Sequence, residues 1–211
     1  MTGLIDYFVK GGPMMWPLLV VAIIGLVIIL ERLFALFISA RANPEKLVKE
    51  VIEIIEEKGV KEALEYLYQK KSPVAKVLAA GLEKTQKGRA VVEEAMVRKA
   101  LSELAFLDRG MIYLAACATL GPILGFLGTV TGMIRAFQAI ALAGEVEPTL
   151  VASGISEALI TTATGLIIAA PVSLFYSIFA TRTNSYQRKI EEASNALVEY
   201  LAEKGVVKEY L

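Results

Sequence analysis

The chain has no histidine, and so lacks the side chain that most often binds metals or exchanges protons near neutral pH. It has one cysteine, Cys117, which excludes an internal disulfide and a cysteine zinc site within one chain. Lys and Arg total 22 and Asp and Glu total 22, so no net charge exists to draw the protein to nucleic acid. Between Arg135 and Arg182, 46 consecutive residues pass without a Lys or Arg. No strand pattern, internal repeat or low-complexity tract is visible. No metal or organic cofactor is expected.

What is present is apolar length. Hydrophobic residues make up 55% of the chain, and several runs exceed the roughly 18–20 residues needed to cross a bilayer. The first run, Trp16 to Ser39, is too long for a signal-peptide core, so it reads as a retained span. The expected order is an N-terminal segment at 1–16, a first span at 17–39, a charged helical loop at 40–110 and a second span at 111–143. A hairpin at 144–154, a third span at 155–180 and a C-terminal helix within 181–211 follow. The second span is longer than the bilayer requires, so it tilts or projects. Arg135 near its outer end can reach the interface.

Charge sets the orientation. The loop at 40–110 holds 14 of the 22 basic residues and the tail five, against one, Lys10, before the first span and none in the hairpin. The positive-inside rule places the N-terminus and hairpin outside and the loop and C-terminus inside.

The charged segments carry helix signals. Asn43-Pro44-Glu45 supplies a cap, a proline at the first helical position and an acid at the positive end of the dipole. Leu47, Val51, Ile54 and Ile55 follow at helical spacing, and Gly59 ends the helix. A short helix is expected over 61–68, another opens at Ser72-Pro73, and a third over 90–107 can run into the second span as one rod. The tail from Tyr186 to Leu201 is amphipathic.

Within the third span lies one acid, Glu157. A carboxylate there costs about 2.5–3.5 kcal/mol on insertion scales, which marks it as a functional-site candidate. Two readings stand open: an ion-pathway residue, or a clip between helices through Arg135. Thr161 and Thr164 fall within about 40° of Glu157 on a helical wheel, a polar stripe that can hold water or bond neighbouring helices. In the second span, Gly121, Gly125, Gly128 and Gly132 share one face, where two backbones can approach closely. Thr129 and Thr131 are further candidates to line a lumen. Pro171 is expected to kink the third span, and Glu31-Arg32 to anchor the inner end of the first. Trp16 and Tyr113 suit the interfacial belts. Cys117 reads as a small packing residue.

Two segments carry a resemblance over nearly the whole chain: Leu120-Gly-Pro-Ile-Leu-Gly-Phe-Leu-Gly-Thr-Val-Thr-Gly-Met133 and Ile155-Ser-Glu-Ala-Leu-Ile-Thr-Thr-Ala-Thr-Gly165. In these, and in its three-span layout, the chain resembles the MotA/TolQ/ExbB family, and within it the ExbB/TolQ branch. The resemblance implies an all-α subunit whose copies form a pentameric ring around a central pore. Two copies of a single-span ExbD/TolR-type partner sit inside the ring and bring an essential aspartate. The complex is energised by protons, with Na+ as the alternative ion, and works on a TonB- or TolA-type protein. The resemblance assigns the ion pathway to Glu157, Thr129 and Thr162. The helical wheel instead groups Thr161 and Thr164 with Glu157 and sets Thr162 about 140° away. Both hold if Glu157 lies toward a subunit boundary while Thr162 faces the lumen.

The expectation is therefore an all-α, three-span protein of a bacterial inner membrane, not an enzyme, with lipid and other protein chains as its partners. A membrane scaffold and a stand-alone transporter are the rivals. The transporter is disfavoured because three spans without a repeat lack the usual transporter architecture.

Overall fold

A backbone in lipid must satisfy its own hydrogen bonds, and a single apolar segment does so as a helix. The computed structural model describes residues 2–39, 43–144 and 147–207, and among these no strand occurs. Eight α-helices follow in order: α1 (Thr2–Lys10), α2 (Met15–Ser39), α3 (Pro44–Lys58), α4 (Val60–Gln69), α5 (Pro73–Leu82), α6 (Arg89–Leu107), α7 (Met111–Ala143) and α8 (Pro148–Glu203). Three helical stretches, ending in α2, α7 and α8, are long and apolar enough to cross a membrane. Residues 40–42 of the expected loop, Glu145 and Val146 of the hairpin, and 208–211 of the tail lie outside the described residues.

The helix boundaries depart from the sequence reading in three places. The N-terminal segment contains a helix, α1, which the sequence reading did not anticipate. The expected rod from α6 into α7 is broken at Asp108–Gly110, where Gly110 takes a left-handed φ of 85°. The third span and the tail form one 56-residue helix that continues through Pro171.

The chain divides into two units, Met1–Glu31 with Gly110–Ile178, and Arg32–Arg109 with Phe179–Leu211. In the second unit α5 is apolar except for Lys76, which is exposed, and it is buried accordingly, with Val74, Ala75, Val77 and Leu78 fully enclosed. It packs on α4 and α6. The part of α8 in this unit presents Phe179, Thr183, Tyr186, Ile190, Ala193 and Leu197 at a four–three spacing, with Leu201 one turn further, all buried. Burying each large apolar side chain of this kind contributes about 1.5–3 kcal/mol. The two helix starts legible in the sequence are capped. Asn43 Oδ1 accepts the Glu45 amide at 3.2 Å, and Ser72 Oγ accepts the Ala75 amide at 3.3 Å.

Two polar groups sit in this apolar setting. Burial, reinforced by the negative charge of Glu103 and opposed by the Val74 amide, pushes the Tyr186 hydroxyl from its usual 10.0 up to about 12. Burial pushes the Glu103 carboxyl up as well, but hydrogen bonds from Lys76 and Lys99 outweigh it and leave the group below the ordinary range.

Arg32 corrects an expectation. It is fully buried instead of anchoring at an interface. Its Nη1 donates to the carbonyls of Phe106 and Leu107, both at 3.0 Å. Those carbonyls belong to the last turn of α6, where no further amide follows to satisfy them, and the helix dipole favours a cation there.

The first unit is built differently. Gly25 of α2 lets three helices meet, since a Cβ there would lie 3.1 Å from Val172 Cγ2 and 3.8 Å from Cys117 Cβ. Cys117 is buried, in keeping with a packing role. Met15, Leu18 and Ile160 form a cluster joined by Phe8, Leu124 and Ile168. Large apolar side chains of α2, α7 and α8, among them Val27, Phe126 and Ile167, are exposed on the single chain. An apolar surface of that extent belongs against lipid or other chains.

Replacing Arg32 with Met keeps apolar volume but strands two carbonyls. The expected cost is about 2–3 kcal/mol, read as a lower thermal midpoint in detergent. An unchanged midpoint would show that the cap contributes nothing.

Candidate functional site

The four glycines of α7 meet a row of small residues on α8: Gly154, Ala158, Thr161, Gly165 and Ala169. At Gly121, Gly125 and Gly132 backbone meets backbone, and at Gly128 the neighbour is the Thr161 side chain. A Cβ at Gly121 would lie 2.9 Å from the Gly165 carbonyl oxygen, and one at Gly125 would lie 2.9 Å from that of Thr161. A Cβ at Gly165 would come within 2.5 Å of the Gly121 oxygen. Gly132 faces Gly154 and Ala158 at the other end, so the two helices run antiparallel. Helices in lipid gain no hydrophobic drive from meeting each other, so close packing of this kind holds them together.

The seam sorts the threonines. Thr161 is fully buried, and a Cβ at Gly128 would strike its Oγ1 at 2.3 Å. Its hydroxyl donates to the carbonyls of Glu157 and Ala158. Thr162, the next residue, lies at the edge of the seam, half-buried. Its hydroxyl reaches the Ala158 carbonyl at 3.2 Å and, across the seam, the Gly125 carbonyl at 3.4 Å. Thr129 stands one turn beyond Gly125 on α7, is also half-buried, and donates to the Phe126 carbonyl at 2.6 Å. Thr131 bonds Gly128 of its own helix. Thr164 bonds Ile160 and lies in the row Ile160–Thr164–Ile168, whose isoleucines pack with Met15 and Leu18 of α2. The stripe of Glu157, Thr161 and Thr164 is thus divided among three different neighbours.

Glu157 lies near the start of α8, where Arg135 Nη1 donates to its Oε1 at 2.7 Å. The carboxylate side chain is 15% exposed and the arginine 43%. This is the geometry of the clip, and it satisfies an acid that would otherwise stand alone in the span. A third group closes on the pair: the backbone of Gly12, from the turn between α1 and α2, lies directly against the carboxylate. Sequence reasoning missed Gly12 and the glycines of α8. The signals available were the pair Gly11-Gly12 just before the first span and the 4–3–4–4 spacing of small residues from 154 to 169. Among the described residues, no three His, Cys, Asp or Glu side chains gather as metal ligands.

Comparison with known proteins places this arrangement in context. The model of the MotA/TolQ/ExbB proton channel family matches residues 69–192, a range that includes all of α7 and the part of α8 that forms the seam. An ExbB homolog of Methanothermobacter thermautotrophicus is 31% identical over 187 residues, 89% of this chain and 66% of its own length. The ExbB-like 1 protein of Synechocystis is 33% identical over 181 residues, 84% of this chain and 71% of its own length. The Tol-Pal system protein TolQ of Haemophilus influenzae is 37% identical over 86 residues, 42% of this chain and 38% of its own length.

The seam makes a sharp demand at Gly165. Gly165→Ala is expected to lose about 1–3 kcal/mol through overpacking, measured as the thermal midpoint in detergent. Gly3→Ala adds a Cβ with nothing within 4 Å, and should change stability by less than about 0.5 kcal/mol. Equal midpoints for the two variants would contradict the packing.

Proposed function

The chain belongs to the MotA/TolQ/ExbB proton channel family, and on that premise we propose that it is the ion-conducting subunit of an inner-membrane complex driven by the proton motive force. Copies of the chain form a ring, a pentamer by resemblance, around a single-span ExbD/TolR-type partner. The driven load is a TonB-type protein serving outer-membrane transport, with a TolQ-type role in envelope maintenance as the alternative. Relatives bearing both the ExbB and TolQ names lie behind this pair of readings.

The observation that carries the reading is the position of Thr162 and Thr129 at one edge of the α7–α8 seam. Thr162 reaches the Gly125 carbonyl, one turn from Thr129, and both threonines are only half-buried within the chain. Hydroxyls repeated around a ring can hold water beside a carboxylate contributed by the partner. This chain lacks histidine and pairs its one acid of the third span, so the titrating site is the partner's. Protonating that carboxylate changes which face of the ring it prefers, a ligand-biased shift between near-equal states.

The Arg135–Glu157 pair supports a second reading of one residue. In it Glu157 is a structural clip, and ions pass the threonines alone. In the first reading Glu157 borders the path at its outer end.

Proton flux into vesicles carrying the chain with its partner separates these readings. Thr162→Val is expected to lower flux roughly tenfold or more, equal to about 1.4 kcal/mol on the barrier, with ring assembly intact. Glu157→Gln should lower it as well. Undiminished flux in Glu157→Gln and Arg135→Gln, singly and together, would leave Glu157 as a clip. Replacing Na+ with K+ should change nothing, and a sharp sodium requirement would overturn the choice of ion.

A further inference from the structure

The turn at Gly11, Gly12 and Pro13 joins α1 to α2 and lies across the start of α8. Gly12 has a φ of +68°, and a Cβ built on it would fall 2.2 Å from Glu157 Oε1, 2.7 Å from its Cδ and 3.2 Å from Arg135 Nη1. Next to it, a Cβ on Gly11 would fall 2.9 Å from Ile160 Cγ2. The backbone of the turn is therefore in contact with the very turn of α8 that bears the acid.

The turn is fastened from both sides. Phe8 of α1 meets Trp16 of α2 edge-on, with ring centroids 5.2 Å apart, and packs with Met15, Leu18 and Ile160. The amides of Gly11 and Gly12 donate to the carbonyls of Tyr7 and Val9, and the Gly12 carbonyl accepts from Met15. With its amide engaged, Gly12 offers Glu157 a wall and not a hydrogen bond. Two walls then fix the carboxylate, the guanidinium of Arg135 and the bare Cα of Gly12.

We propose that Gly12 is a positioning residue for Glu157, and that the space left by its missing side chain is what seats the carboxylate against Arg135. The inference rests on the reading of Glu157 as a residue of the ion path. A methyl group at position 12 leaves the seam intact but displaces the carboxylate, which sits at the flexible end of its side chain. Such a change moves Glu157 far more than it disturbs the fold.

Left-handed strain at Gly12 needs its own control, and Gly144 supplies it. Gly144 has a φ of +74°, with nothing within 4 Å of an added Cβ. Gly144→Ala therefore incurs the backbone strain alone, whereas Gly12→Ala adds the displacement of Glu157.

The test is proton flux into vesicles carrying the chain and its single-span partner, read with an entrapped pH-sensitive dye, alongside assembly by native mass spectrometry. Gly12→Ala is expected to lower flux roughly tenfold while the assembly stays intact, and Gly144→Ala to leave flux at the wild-type level. Glu157→Asp shortens the acid by one methylene and makes room for the methyl. In that background Gly12→Ala is expected to cause no further loss. Equal flux for Gly12→Ala and Gly144→Ala overturns the proposal, as does a full loss on adding Gly12→Ala to Glu157→Asp. Glu157→Gln is measured in parallel. Wild-type flux in that variant refutes the ion-path reading of Glu157, and so the premise of this inference, whatever Gly12→Ala does.

Discussion

The approach of two backbones along the α7–α8 seam is the constraint on which the site depends. With glycine at 121, 125 and 132 facing Gly165, Thr161 and Gly154, the helices meet at distances that leave no room for a Cβ. That closeness drives Thr161 into the contact and leaves Thr162 at its edge, within reach of a carbonyl of the opposite helix. It also brings the C-terminal part of α7 close enough for Arg135 to hold Glu157 near the start of α8. A larger residue at one glycine would shift the register of hydroxyls and acid together.

Helix α8 solves two packing problems along one length. From Gly154 to Ala169 its contact face is made of small residues, because in lipid an apolar side chain gains little by leaving its surroundings. From Phe179 to Leu201 the buried face is mostly large apolar side chains, each of which gains by burial. The same division explains Arg32. A fully buried guanidinium is tolerated because the last carbonyls of α6 need a donor and the helix itself offers no further amide.

Local chemistry is what the sequence made legible. The caps at Asn43 and Ser72 and the glycine face of α7 follow from side chains acting on their own helix or on a regular period. The pairing of Glu157 with Arg135 stood as one of two alternatives, since opposite charges near facing ends of consecutive apolar helices invite it. What escaped depended on tertiary position. Helix α1 is short and borrows its stability from Phe8 docking on Met15, Leu18 and Ile160. The break after α6 turns on a single left-handed glycine. A helical wheel grouped Thr161 and Thr164 with Glu157 because it knows angles and not neighbours. The partners are Gly128 for Thr161, Arg135 and Gly12 for Glu157, and the row facing α2 for Thr164.

In the proposed function this chain is the ring-forming channel subunit of a membrane motor. Native mass spectrometry of the detergent-purified protein, alone and with its single-span partner, tests it most directly. A ring of five chains that takes up two copies of the partner is expected. A monomer or dimer that ignores the partner would remove the central pore and contradict the account.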